Sequence, residues 1–511
     1  MSKKILGIEL GSTRIKSVLV DEHAKVIAQG SFEWENRLVD GLWSYSLEDV
    51  TKGLQASYAD LVSNYGKAIT TLDSVGVSAM MHGYLAFDSQ DNLLVPFRTW
   101  RNTNTGGAAT ELSALFNFNV PMRWSVAHFY QAVLNGEPHV KDVAFLTTLA
   151  GYVHYRLTGN KVIGIGDASG MFPCDSRGFD KEKLTKFNTL LRKKGADMEF
   201  NSLLPKVLLA GQDAGCLTSE GAKLLDPTGR LQPGATMCPP EGDAGTGMVA
   251  TNSVLPRTAN VSAGTSAFLM AVMEQPLCHH HKEIDVVTTP TGEQVAMVHV
   301  NNFTNEINAW AGVFAQAVAL AGVQCDKGEL LERLFKCSLK SDDDVGGLVG
   351  YNFLSGEPIA EVAEGRPLFV RMPEGRLTLP NFMQMQIYSA LGSLAMGVEL
   401  LRSEHVVIDS VCGHGGFFKT EFVGQNAMSA AVGAPVTVLS NAGEGGAWGM
   451  ALLALYALSG GVSLAQFLHN LFASATKVTV SATEREKQKF DKFMKLYKKG
   501  LRLEKTSSEV L

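Results

Sequence analysis

Residues 5–21 read Ile5-Leu6-Gly7-Ile8-Glu9-Leu10-Gly11-Ser12-Thr13-Arg14-Ile15-Lys16-Ser17-Val18-Leu19-Val20-Asp21. Two short β-branched runs, Ile5–Leu10 and Ile15–Asp21, flank a glycine-hydroxyl tip, the pattern of a hairpin. A second copy of the pattern stands at 260–272, where Asn260-Val261-Ser262-Ala263 and Ala267-Phe268-Leu269-Met270-Ala271 enclose Gly264-Thr265-Ser266. The repeat of strand, glycine, two hydroxyl residues and strand predicts two similarly built α/β halves. Polar residues and Pro256 interrupt the pattern over Asn252–Thr258, so the expected domains are 1–255 and 256–511.

A glycine-hydroxyl turn has phosphate-binding chemistry. Glycine allows φ > 0 and lets backbone N–H groups approach an anion. Successive N–H groups form a nest, and neighbouring hydroxyls add donors. Gly11, Ser12 and Thr13 with Lys16, and Gly264, Thr265 and Ser266, carry that chemistry, and two such turns suit a polyphosphate. Each turn alone is also an ordinary tight turn. Neither is a P-loop, since G-x-x-x-x-G-K-[ST] is absent. The one G-x-G-x-x-A run, Gly245–Ala250, follows Pro239-Pro240-Glu241 rather than a strand and fails the context of a dinucleotide motif.

Around these turns the spacing predicts a helix over Leu47–Tyr65, a buried strand at Ser74–Ser78, and a mainly helical stretch from Thr105 to Gly159 with Leu146–Leu157 as its clearest helix. Lys181–Lys194, Met383–Leu401 and Gly445–Leu458 also read as helices, with a strand at Val406–Ser410. Phe490, Phe493, Met494 and Tyr497 form one apolar stripe of a closing helix, Glu484–Leu503, whose lysines are a solvated face.

With 511 residues, 45% hydrophobic and 19% charged, the composition is that of a globular chain large enough for more than one domain. A net charge of −6 gives no electrostatic reason to expect nucleic-acid or anionic-membrane binding, so a phosphate must be held by local geometry. Ala447–Leu458 is the most apolar stretch, about half the roughly 20 residues a membrane-spanning helix requires. The first residues run straight into a strand pattern without a signal-peptide core, and the seven cysteines are dispersed without a C-x-x-C pair. The expected location is a reducing cytoplasm. Cys278-His279-His280-His281 reads as a solvated loop, because adjacent side chains cannot all face one ion.

Two acids stand out. Glu9 ends the first strand two residues before the first turn, and Asp243 lies in Glu241-Gly242-Asp243-Ala244-Gly245-Thr246-Gly247. A carboxylate beside a phosphate repels it unless a divalent cation intervenes, and Mg²⁺ with water and one or two carboxylates meets that need. Asp243 also reads as a helix N-cap, and the two roles are compatible. Glu444 is read as a helix-start residue.

These motifs resemble those of the FGGY carbohydrate kinases, which include xylulose, ribulose, gluconate and glycerol kinases. The likeness runs through Gly7–Lys16, Met80-Met81-His82-Gly83, Tyr155–Gly159 with Asp167-Ala168-Ser169-Gly170, Gly242-Asp243-Ala244 and Ser262–Ser266. It continues through Leu354-Ser355-Gly356-Glu357-Pro358, Gly413-His414-Gly415-Gly416 and Gly445–Ala451. The resemblance implies two actin-like (ribonuclease-H-like) ATPase domains of α/β class with a cleft between them. It implies sugar binding in the first domain and ATP binding mainly in the second. By the family pattern Asp243 is the catalytic base, Gly264, Thr265 and Ser266 hold ATP phosphates, and Ser12, Thr13 and Lys16 face them. Gly415 and Gly416 pass near the adenosine. Met81, His82, Trp100 and Asp167 lie on the sugar side, and Glu9 and Asp243 serve Mg²⁺.

The chain departs from that pattern in places: Glu9 stands where Asp is usual, Trp100-Arg101-Asn102 lacks a carboxylate, and Pro358 replaces an arginine. The expected reaction is ATP-dependent phosphorylation of a ketose, a pentulose such as xylulose or ribulose. The expected partners are a small sugar and ATP, with neither nucleic acid nor membrane, and a homodimer as in many relatives. The alternative is an actin- or chaperone-like ATPase switch without a sugar acceptor. A regulator would need a basic helix-turn-helix segment, and none stands out.

Overall fold

The computed structural model describes residues 2–439 and 445–511, so Glu444 lies outside the described residues. The chain divides into two compact units. The first comprises Met1–Leu255, His280–Val295 and Glu444–Ser474, and the second Pro256–His279, Ala296–Gly443 and Ala475–Leu511.

In the first unit Ile5–Leu10 and Arg14–Val20 form the expected hairpin, with Glu9 opposite Lys16. Ser74–Ala79 runs parallel beside the first strand, and Val26–Glu33 antiparallel beside the second. Thr236–Met237 and Glu241–Gly242 continue the parallel side. The helix Leu47–Tyr65 forms as its spacing predicts, with Ser46 accepting from the Asp49 N–H and Gly66 closing the end at φ 71°. Val50, Leu54, Tyr58 and Leu61 are its buried face.

The second unit repeats the arrangement. Its sheet runs Gln294–Val300, Ala267–Val272, Thr258–Ala263, Ser410–His414, Val436–Leu439 and Lys477–Val480. The hairpin pair is again antiparallel and the next two strands again parallel. Leu379–Ser403 is a 25-residue helix buried along most of its length, and Glu484–Val510 packs on it. Phe490, Phe493, Met494 and Tyr497 are buried as the stripe predicts, with Tyr388 edge-on to Phe490.

Three expectations need correction. The helix expected from Leu146 starts at Leu149, because Phe145–Thr147 pairs as a strand with Leu85–Phe87 and Thr148 is the N-cap. The strand expected at Val406–Ser410 is Ser410–His414 instead. His405 turns at φ 65° and Val406 donates back to the Leu401 carbonyl, so pairing starts only where Ser410 meets Thr258. Finally, neither Gly11 nor Gly264 has a positive φ.

The helix Gly445–Tyr456 lies directly on the first strand. A Cβ on Gly7 would sit 2.2 Å from the Ala447 carbonyl oxygen, and one on Gly449 2.1 Å from that of Thr246. Glycine is therefore required here by close approach of backbones. Gly7→Ala should lose about 1–3 kcal/mol of stability by overpacking, read in urea unfolding. Unchanged stability would contradict this packing.

Candidate active site

The first unit gathers four carboxyls. Gly242 rather than Asp243 is the N-cap of the helix Asp243–Ala250, and Asp243 is its first residue. The Asp243 Oδ1 accepts from the Met81 N–H at 3.2 Å and the Ala244 N–H at 3.1 Å. The residue is open to solvent. Dense protein around its carboxyl nonetheless raises its proton affinity above the usual carboxylate range, against those two N–H donors.

Glu9 lies at the start of the helix Gly445–Tyr456 and accepts from the Ala447 N–H at 3.2 Å. Burial, then the charge of Asp243, pushes Glu9 up to about 7, while Lys16 pulls it down. A Cβ on Gly446 would stand 2.3 Å from Glu9 Oε1, so a side chain there would push this carboxyl from its place.

Asp167 is wholly buried. Its Oδ2 accepts from the Thr148 hydroxyl at 2.5 Å, and Oδ1 has no partner among the described residues. Burial raises its carboxyl, Thr148 lowers it, and Asp243 raises it further. A buried acceptor without a donor is a place for a ligand hydroxyl or a water.

His82 follows the strand Ser74–Ala79 at φ 69°, an unusual conformation for a non-glycine residue. Its Nδ1 is 3.3 Å from the Gly170 carbonyl oxygen, and its ring lies nearly parallel to that of Trp124. Burial and the Arg123 charge hold it well below the usual histidine range, so it is neutral. A carbonyl only accepts; Nδ1 therefore carries the proton and Nε2 is an acceptor.

Glu241 escaped the sequence reading as a site residue. It is buried and accepts from the N–H groups of Gly166 at 3.3 Å, Asp167 at 3.0 Å and Gly242 at 3.3 Å. It thus fixes the backbone that carries Asp167 and Asp243. A Cβ on Gly164 or Gly166 would fall 2.4 Å from its oxygens. The signal was an acid directly after the run Cys238–Pro240, two residues before Asp243.

Trp100 stands apart. It is 39% exposed, and among the described residues no hydrogen bond or ring contact ties it to Asp243, Asp167 or His82. Its neighbour Arg101 lies over the Trp43 ring at 3.9 Å.

In the second unit, Gly264, Thr265 and Ser266 form the tip between Thr258–Ala263 and Ala267–Val272. Gly415, at φ 106°, lies against the base of that tip, where a Cβ would be 2.3 Å from the Ala263 carbonyl oxygen. A Cβ on Gly416 would meet nothing within 4 Å. In the stretch Cys278–His281, exposed through His280, His279 lies on Glu404 and His280 on Asn117. Gly245–Ala250 is helical, not a nucleotide loop.

Comparison with known proteins agrees over both halves. The sequence model of the FGGY family of carbohydrate kinases, N-terminal domain, matches residues 4–228, and that of the C-terminal domain matches residues 259–458. The chain belongs to the FGGY family of carbohydrate kinases. It is similar to the xylulose kinase of Haemophilus influenzae, 21% identical over 433 residues that make up 82% of this chain and 83% of that protein. Over a shorter stretch, 33% of this chain and 36% of the other, it is 26% identical to the xylulose kinase of Bacillus subtilis.

Among solved structures, gluconate kinase from Lactobacillus acidophilus matches with a TM-score of 0.80 at 17% identity, covering 98% of each chain. Plasmodium falciparum glycerol kinase with ADP matches at 0.75 and 14%, covering 97% of each. These likenesses give this FGGY kinase the two-domain actin-like α/β fold. Family membership makes it an ATP-dependent carbohydrate kinase. No helix among the described residues is long and apolar enough to cross a membrane.

Burial, then the neighbouring Asp167, pushes Glu241 of this FGGY kinase up to about 8. A carboxyl raised on folding loses its proton later in the native state than in the unfolded one. Its contribution to stability therefore falls as pH rises from about 4.5 to about 8. Glu241→Gln, with one acceptor for three N–H donors, should be less stable than wild type by about 1–3 kcal/mol. In paired urea titrations that gap should narrow as pH increases from 6 to 8. A gap that widens would contradict the raised carboxyl.

Proposed function

We propose that this FGGY kinase transfers the γ-phosphate of ATP to a hydroxyl of a ketose, a pentulose of the xylulose or ribulose type, with Asp243 as the base. The observation that carries the reading is the clamping of Asp243 Oδ1 by the Met81 and Ala244 N–H groups, which leaves Oδ2 for an incoming hydroxyl. The similarity to xylulose kinases supports the pentulose.

In this reading Met81 and Asp167 line the sugar side, with the unpartnered Asp167 Oδ1 accepting from a sugar hydroxyl. His82 contributes Nε2 as an acceptor, and Trp100 offers an exposed ring. Gly264, Thr265 and Ser266 hold the phosphates of ATP, aided by Ser12, Thr13 and Lys16, while Gly415 and Gly416 leave room for the adenosine. We assign the sugar mainly to residues 1–255 and the nucleotide mainly to 256–511, although His280–Val295 and Glu444–Ser474 belong to the first unit.

Phosphoryl transfer has a loose transition state, so positioning and charge stabilisation supply most of the rate. Asp243 orients the hydroxyl and takes its proton late, and its raised proton affinity suits that part. Glu9 and Asp243 repel one another electrostatically and are hard oxygen donors, which fits Mg²⁺ bound mainly through water and phosphate oxygens. Bound there, the ion would neutralise charge on the phosphates. We further propose a cytoplasmic enzyme, working as a homodimer.

Asp243→Asn should lower kcat by about 10²–10⁴-fold while ADP still binds. D-xylulose or ribulose should stimulate ADP release by the wild type more than hexuloses, polyols or aldonates do. Near-normal turnover in Asp243→Asn would remove the base, and stimulation by aldonates or polyols alone would remove the pentulose.

A further inference from the structure

The two glycine-hydroxyl turns are braced from behind in the same way by unrelated residues. In the first unit the Trp34 Nε1–H donates to the Gly11 carbonyl at 2.8 Å. The Tyr45 hydroxyl donates to the Ser12 carbonyl at 2.5 Å, and the Trp34 N–H to the Thr13 carbonyl at 3.1 Å. Trp34 and Tyr45 are buried and stacked, with ring centroids 4.2 Å apart. In the second unit the Thr304 hydroxyl donates to the Gly264 carbonyl at 2.7 Å, and the Phe303 N–H to the Thr265 carbonyl at 2.9 Å.

In a trans peptide the carbonyl and the following N–H point opposite ways. Drawing back the Gly11 and Ser12 carbonyls therefore turns the Ser12 and Thr13 N–H groups outward. Drawing back those of Gly264 and Thr265 does the same for Thr265 and Ser266. These four N–H groups find no acceptor among the described residues. The glycine N–H groups, by contrast, close their own turns, onto Arg14 at 3.0 Å and Ser266 at 2.9 Å.

Thr304 adds an independent sign. It is the N-cap residue of the helix Asn305–Leu320, where a threonine side chain ordinarily accepts a helix N–H. It makes no such bond, and its hydroxyl goes to Gly264 instead.

We propose that Trp34 and Tyr45 in the first unit and Thr304 in the second are positioning residues that hold the turn carbonyls back, so that each turn presents only N–H and hydroxyl donors to a phosphate. The inference rests on the proposed phosphate role of the turns. Without the braces a peptide can rotate and set a carbonyl against the anion, which opposes binding. The residues act through the backbone, so no motif for phosphate binding includes them.

Calorimetric binding of ADP and of adenosine to wild type, Thr304→Val and Thr304→Ser tests the second-unit brace. Thr304→Val should bind ADP about three- to tenfold more weakly, the worth of one hydrogen bond, with adenosine binding unchanged. Thr304→Ser, which keeps the hydroxyl, should restore ADP binding. Tyr45→Phe, which keeps the stack, should lower kcat/KM for ATP by a similar factor without raising KM for the sugar. Wild-type ADP affinity in Thr304→Val, or equal losses in Val and Ser, would overturn the proposal while the wild type still prefers ADP to adenosine. A wild type that binds ADP and adenosine alike would instead overturn the phosphate role of the turns.

Discussion

Backbone N–H groups hold three of the four clustered carboxyls of the first unit in place, and the Thr148 hydroxyl holds Asp167. Asp243 accepts from Met81 and Ala244, Glu9 from Ala447, and Glu241 from Gly166, Asp167 and Gly242. Desolvation raises each of these acids, because it outweighs what the N–H dipoles, and Lys16 at Glu9, return. That balance raises the proton affinity of the cluster, the property on which the proposed base relies. The same constraint dictates the glycines. Backbone can approach a carboxyl this closely only where no Cβ intervenes, as at Gly164, Gly166 and Gly446.

The sheet order of the first unit recurs in the second, and each hairpin tip carries glycine followed by two hydroxyl residues. The tips share a backbone outcome more than a sequence. Aromatic side chains brace one, while a threonine and a main-chain N–H brace the other. A shared frame with different bracing is what physical demand on the turn peptides, rather than on particular side chains, would leave. The family match across both halves decides for a carbohydrate kinase over an ATPase switch.

Much of this could be read from residue order. The first hairpin, the helix at Leu47–Tyr65 and the apolar stripe ending at Tyr497 follow from local periodicity, and the structure agrees. Strand starts were less legible where tertiary pairing chose the register, as at Ser410, or where a short run joined a neighbour, as at Phe145–Thr147. Glycine allows a positive φ at Gly11 and Gly264, yet neither uses it. Thr304, and the part that Glu241 plays, escape local reading for another reason. Their parts depend on partners 74 residues away in one case and 40 in the other, and local spacing carries no trace of such contacts.

The account turns on where the acceptor alcohol sits, and a crystal structure with a bound pentulose measures that position. The account predicts a sugar oxygen about 2.6–3.2 Å from Asp243 Oδ2, with another hydroxyl on Asp167 Oδ1. A sugar bound with every oxygen beyond the reach of Asp243, even bridged by one water, would contradict it.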